Sequence, residues 1–248
     1  MALARRGCHL ALADIDEAAL TRTAAEIAAP GLHVSRHHLD VSDRKAVAAF
    51  PERVVAKHAG VDLLVNNAGV ALAGTFEQVA EEDFEWLVSI NFWGVVRMTR
   101  AFLPLLHDSD DARIVNLSSI FGMIAPPGNT AYCASKFAVR GFSESLRNEL
   151  RKTRIGVTVV HPGGIATSIV RNARLPKSNS ADEDEAKRKS FESFLKMPPE
   201  TASEIIVRGV ENRRARVLVG SDAKRMAFVE RLMPVSYWNL LGRRMYKK

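Results

Sequence analysis

The chain has 248 residues, 47% hydrophobic and 25% charged, which supports one sizeable core and excludes disorder as the main state. No run approaches the roughly eighteen apolar residues of a membrane-spanning helix, and the opening Met1–Cys8 stretch is too short and too early in charge for a secretory signal. The net charge of +7 is unevenly placed: residues 212–248 hold ten Lys/Arg and two Asp/Glu, so the rest is close to neutral. A neutral body with a basic tail does not read as a nucleic-acid binder. Cys8 and Cys133 make neither a CxxC pair nor a zinc spacing, which excludes a disulfide framework and points to a reducing cytoplasm.

In chain order, residues 9–14 form a short apolar run ending in Asp14, the pattern of a buried strand. A helix is expected over 16–28, with Asp16 as N-cap and Pro30-Gly31 as the stop. A second strand is expected over 33–40. A helix follows over 42–58, with Val47, Phe50, Val54 and Val55 on its apolar side. Residues 62–68 read as a strand, 81–106 as one long helix, 112–118 as a strand, 129–151 as a helix and 156–161 as a strand running into Pro162-Gly163-Gly164. The last strand is expected over 216–220. Short apolar strands alternating with helices predict an α/β fold: a doubly wound, Rossmann-like parallel sheet in a single domain. That domain would span 1–220, with a basic tail over 221–248. The charged, Ser-rich stretch after Arg174 breaks the rhythm and reads as a solvated loop or as a lid over about 168–199.

Ligands of open α/β sheets bind beyond the carboxyl ends of the strands. The polar residues at those ends are Asp14, Asp40, Asn66-Asn67-Ala68-Gly69, Ser118-Ser119 and His161-Pro162-Gly163. On the helix after Ser119, Tyr132 and Lys136 are four apart and share a face. A nearby ammonium favours the phenolate, so the pair can handle a proton at an alcohol or carbonyl oxygen. Plainer roles are open to many of these residues: Asn66 and Asn67 as turn formers, Asp14 as a helix cap, Ser118 and Cys133 as packing, His161 as a strand cap. His37 and His38 lack carboxylate or cysteine partners at ligand spacing, so no metal site is expected.

Asn66-Asn-Ala-Gly69, Asn91-x-x-Gly94, Ser119, Tyr132-x-x-x-Lys136 and Pro162-Gly163 with Thr167 occur in this order. Over residues 1–220 the chain closely resembles the short-chain dehydrogenase/reductase family. The resemblance implies an oxidoreductase moving a hydride between a nicotinamide cofactor and an alcohol or ketone. Tyr132 would be the general acid/base, Lys136 would lower its pKa and hold the nicotinamide ribose, and Ser119 would bind the substrate oxygen. Asn91 would anchor a water beside Lys136, and Thr167, after Pro162 and Gly163, would orient the carboxamide. Asn67, Ala68 and Gly69 would wall the adenosine ribose, and Asp40 and Val41 would sit at the adenine. Asp14 would accept from the ribose hydroxyls and repel a 2′-phosphate, and Ile15 rather than an arginine follows it, so NAD is favoured over NADP. A homodimer or homotetramer is implied.

The family's Thr-Gly-x-x-x-Gly-x-Gly phosphate motif does not occur in the sequence. The expectation is an N-terminally shortened reductase lacking the first strand and glycine-rich loop, whose neighbouring strands lose a ladder partner. The alternative is a non-catalytic Rossmann-like scaffold. Phe121, Met123, Ile124, Pro126 and Pro127, with Ile169, Leu175, Phe191 and Phe194, suggest an apolar small-molecule substrate. The tail reads either as a helix packing on the body or a sister subunit, or as a peripheral contact with an anionic membrane surface.

Overall fold

The structure is a computed structural model, which describes residues 1–176, 185, 189, 192 and 194–245. After a 3-10 turn at Ala4–Arg6 the strands are β1 (Leu10–Asp14), β2 (Val34–His38), β3 (Leu63–Asn66), β4 (Arg113–Leu117), β5 (Gly156–Pro162) and β6 (Arg216–Val219). The helices are α1 (Glu17–Ile27), α2 (Arg44–Ala48), α3 (Phe50–Val55), α4 (Glu81–Val88), α5 (Val95–His107), α6 (Thr130–Glu149), α7 (Pro199–Glu211), α8 (Ser221–Leu232) and α9 (Tyr237–Met245).

Every described pairing between these strands is parallel, as expected of strands joined by helical crossovers. The strands form two ladders, β1–β2 and β3–β4–β5–β6. Among the described residues no strand pairs with the remaining edge of β1 or of β3. Those edges are correspondingly open: Ala11 and Ala13 are exposed, and Val65 is 39% exposed where a strand inside a parallel sheet is normally covered.

The larger ladder is packed on both faces because successive side chains alternate. Leu64, Ile114 and Val157 join Phe102 and Leu106 of α5 and Leu146 of α6 in one core, which Leu39, Val47 and Phe50 extend. Their neighbours Leu63, Val115 and Val160 pack the other way, against Ala202 of α7 and Val217 and Val219 of β6. Helix α1 is capped by Asp16, whose carboxylate accepts from the Ala19 amide at 2.9 Å, and buries Leu20 and Ile27. The N-terminal turn is tied to α7 by Arg5–Glu204 at 2.6 Å, Arg6–Glu204 at 3.0 Å and a second Arg6 contact to Glu211.

Two expected helices are interrupted. Residues 42–58 split into α2 and α3, with Pro51 in the first turn of α3, where a missing amide hydrogen is tolerated. Residues 81–106 carry a π-helical turn at Ser89–Gly94 between α4 and α5. The tail is helical: α9 folds back on α8, and Tyr237 and Leu241 pack on the body beside Ile120, Met123 and Ile124. No described helix is long and apolar enough to cross a membrane.

Candidate active site

Ser119 follows β4 and starts a 3-10 turn at Ile120–Gly122, where its hydroxyl accepts from the Phe121 amide at 3.1 Å. Residues 120–124 then pass beneath α8 and return to α6, whose first turns carry Tyr132 and Lys136. The buried Lys136 ammonium donates to the Leu117 carbonyl at 3.0 Å and stands 5.6 Å from the Tyr132 ring centroid. Phe121 packs edge-on against the same ring at 6.2 Å. Ser118 is structural: its hydroxyl donates to the Lys136 carbonyl at 2.8 Å and pins β4 to α6.

Asn91 lies in the π-helical turn, a common place for functional side chains. It is fully buried; its side chain accepts from the Val70 amide at 2.8 Å and donates to the Val70 carbonyl at 3.0 Å. This clamps the stretch leaving β3 against Lys136. A Cβ built on Gly69 would lie 3.3 Å from Asn91 Oδ1 and 3.5 Å from Lys136 Nζ, so glycine keeps that corner open.

Burial sets the electrostatics. It pushes the Tyr132 phenol up to about 12, with the Ser119 hydroxyl pulling the opposite way, and pushes Lys136 down to about 8. Desolvation therefore outweighs the lowering by Ser119, and the lowered tyrosine expected beside an ammonium is not found. At neutral pH the phenol is protonated and poised as a proton donor. Cys133 is buried and its thiol is pushed up to about 12, which fits packing rather than nucleophilic work.

The remaining predicted positions surround this centre or stand apart. Asn67 and Ala68 are exposed beyond β3. Pro162 ends β5, Gly163 follows it, and Thr167 is exposed on the loop beyond. Asp14 is exposed at the end of β1 and accepts from the Asp16 amide at 3.0 Å; Asp40, beyond β2, accepts from the Ser42 amide at 2.8 Å. Val41 packs on Gly94, where an added Cβ would meet Val41 Cγ2 at 2.9 Å. Asp14 thus ends the first strand of the smaller ladder, and Asp40 and Val41 lie in the turn beyond its second strand. The segment after Thr167 is held at its start by Arg174, whose guanidinium stacks 3.5 Å over Trp86 and donates to Asp83. Its end is held by the Lys196 and Met197 amides, each 3.1 Å from the Gly164 carbonyl. Ile169 and Leu175 are partly buried and Phe194 is 49% exposed, while Phe191 lies outside the described residues.

Gly122 and Asp222 escape sequence reading as supporting residues, and His161 was read only as a strand cap. His161, fully buried on β5, has Nδ1 2.9 Å from the Ser119 carbonyl. Since a carbonyl only accepts, Nδ1 carries the proton, and Nε2 has no described partner. Gly122 lets the 3-10 turn touch the α6 backbone. Asp222 of α8 accepts from the Gly164 amide at 2.7 Å and fixes the loop after β5. Only His161 had a signal, its place at a strand end.

A half-buried tyrosine, a buried ammonium and open strand ends suit a nicotinamide nucleoside. Among the described residues no glycine-rich turn offers a pyrophosphate cradle. The two-ladder α/β fold and this Ser-Tyr-Lys centre define a short-chain dehydrogenase type of oxidoreductase. Residues 1–178 match the family described as short chain dehydrogenase, and the chain belongs to that family. It is 42% identical over 243 residues to a Mycobacterium tuberculosis protein named "Putative oxidoreductase SadH", covering 97% of this chain and 87% of that one. A Burkholderia phymatum short-chain dehydrogenase/reductase crystallised with NAD superposes with a TM-score of 0.84 at 26% identity, covering 92% of this chain and 86% of that one. A metagenomic short-chain oxidoreductase with NADP gives a TM-score of 0.62 at 32% identity, covering 66% and 75% of the two chains. The protein is therefore a nicotinamide-dependent oxidoreductase.

Proposed function

We propose that the chain interconverts an apolar secondary alcohol and its ketone, with NAD as the preferred cofactor. The observation that carries this is the convergence of Ser119, Tyr132 and Lys136 where β4 meets α6. A bound nicotinamide dinucleotide supplies the hydride for reduction or takes it in oxidation. In reduction the Tyr132 hydroxyl gives its proton to the substrate oxygen, and Ser119 donates a hydrogen bond to the same oxygen as charge develops there. Lys136 would hold the nicotinamide ribose and set a positive charge beside the phenol. Asn91, through Val70, holds in place the stretch that carries Gly69, which would wall the adenosine ribose with Asn67 and Ala68. His161 fixes the Ser119 carbonyl and so the path of the chain into the 3-10 turn.

Phe121, which packs against the Tyr132 ring, supports an apolar substrate, whereas Met123 and Ile124 are buried against the C-terminal helices; much of the expected lid over 168–199 lies outside the described residues. Asp14 followed by Ile15 supports NAD over NADP. Asn67, Ala68, Pro162, Gly163 and Thr167 would line the dinucleotide, with Asp40 and Val41 at its adenine end. The free edges of β1 and β3 would take one more parallel strand, and a glycine-rich turn ending it would bind the pyrophosphate. Trp93 and Phe137, 46% and 39% exposed, offer an apolar face for a homodimer or homotetramer, and the free thiols of Cys8 and Cys133 fit a cytoplasmic setting. Following NADH and NADPH consumption with methyl ketones of rising chain length tests substrate and cofactor together. The reading expects kcat/KM to rise with chain length and to favour NADH; a preference for short polar ketones or for NADPH overturns those parts.

A further inference from the structure

We propose that the α8–α9 pair is a docking surface for an anionic lipid bilayer. Exposed large apolar side chains concentrate here: Phe228 is 62% exposed, Leu232 65%, Val235 93% and Leu240 44%. Phe228 and Leu232 are four apart on α8, so they stand on one face, and Val235 sits in the turn that joins the two helices. A cavity of about 300 Å³ opens between the helices, lined by Phe228, Val229, Leu240 and Leu241 with Lys224 and Arg225.

The charge beside this patch is predominantly positive. Lys224, Arg225 and Arg231 are exposed on α8. Of the two acids on that helix, Asp222 is turned to the body by its bond with the Gly164 amide, which leaves Glu230. The sequence goes on to Arg243, Arg244, Lys247 and Lys248. Apolar side chains flanked by cations match a surface with an acyl interior and phosphate headgroups. A symmetric contact between two copies would instead set these cations against themselves.

The position of the patch also gives it a use. Ala223 and Ala227 on the inner side of α8, with Tyr237 of α9, pack on Ile120, Met123 and Ile124, and the Tyr237 hydroxyl accepts from the Ala125 amide at 2.9 Å. The helices that would rest on the bilayer therefore sit directly on the segment between Ser119 and Tyr132. The docking surface stands whether or not the substrate is apolar; if it is, this arrangement puts the site next to its reservoir.

The test is sedimentation of the full chain with vesicles of phosphatidylcholine alone or of phosphatidylcholine and phosphatidylglycerol, at low and high salt. Each cation near an anionic leaflet contributes about fivefold in binding, so a Lys224→Glu/Arg231→Glu double variant should bind at least roughly twenty-fold more weakly. Binding should need phosphatidylglycerol, weaken at high salt and fall again in Phe228→Ser. Val235→Asp, in the most exposed position, serves as a second apolar test should Phe228→Ser melt early. Absence of pelleting with anionic vesicles overturns the proposal, as does pelleting that these variants leave unchanged. Wild-type dimers that Val235→Asp converts to monomers, without vesicle binding, reassign the surface to a second copy.

Discussion

Gly122→Ala should damage both stability and activity through a single methyl group. A Cβ at this position would lie 2.7 Å from the Lys136 carbonyl oxygen and 3.0 Å from its carbon, and would also strike the Ser118 hydroxyl. The obstruction is backbone of α6, so it cannot rotate away. Overpacking of this kind costs about 1–3 kcal/mol. Pushing the Ser118 hydroxyl from the Lys136 carbonyl forfeits a buried hydrogen bond, about 1 kcal/mol more. The combined loss of about 2–4 kcal/mol converts to a fall in melting temperature of roughly 5–15 °C for a chain of this size. Thermal melting followed by circular dichroism reads it, with Gly60→Ala as control, since an added Cβ there meets nothing within 4 Å. NADH consumption should fall too, because the same movement displaces Tyr132 and Lys136 from Ser119. A Gly122→Ala protein melting within about 2 °C of wild type would refute the reasoning.

Other consequences follow from buried polar groups. Asn116 is fully buried, accepts from Asn66 at 2.8 Å and donates to Ser143 at 2.9 Å, so Asn116→Leu removes two buried hydrogen bonds and should cost about 1–3 kcal/mol in urea denaturation. His161, held near 4 by burial, stays neutral in the folded protein while an unfolded histidine titrates near 6.5. Its stabilising contribution is therefore complete above pH 6.5 and is lost as pH falls from there toward 4, by up to about 3 kcal/mol. His161→Asn should flatten the stability profile between those values; an unchanged slope contradicts the assignment. Asp14→Ala should reduce the preference for NADH over NADPH about tenfold or more, read as the ratio of kcat/KM values.

Much of this architecture was legible because short, nearly continuous apolar runs such as Val157–Val160, separated by helical patterns, are the mark of strands covered on both faces. The spacing of Tyr132 and Lys136 puts them on one helix face, but the pair stood out only together with Ser119 and the family's other motifs. The π-helical turn was not legible, since the apolar pattern of Ile90, Phe92 and Trp93 continues through it and one extra residue barely alters the periodicity. Asn66 read as a turn former because its partners, Thr99 on α5 and Asn116 on β4, are distant in sequence. The direction of the Tyr132 shift was misjudged for a related reason. Charge proximity is visible in a Tyr-x-x-x-Lys spacing, whereas the burial that raises the phenol depends on Phe121 and the rest of the packed site.

The central claim is that Tyr132 moves the proton that accompanies hydride transfer, and Tyr132→Phe tests it most directly. The phenol hydroxyl is lost while the ring contact with Phe121 can persist. The measurement is kcat for NADH-dependent ketone reduction, with NADH affinity determined in parallel by fluorescence. The account predicts a fall in kcat of roughly 10²–10⁴-fold with cofactor affinity within about threefold of wild type. A variant that keeps wild-type kcat would contradict it and leave the Ser119, Tyr132 and Lys136 cluster without a catalytic role.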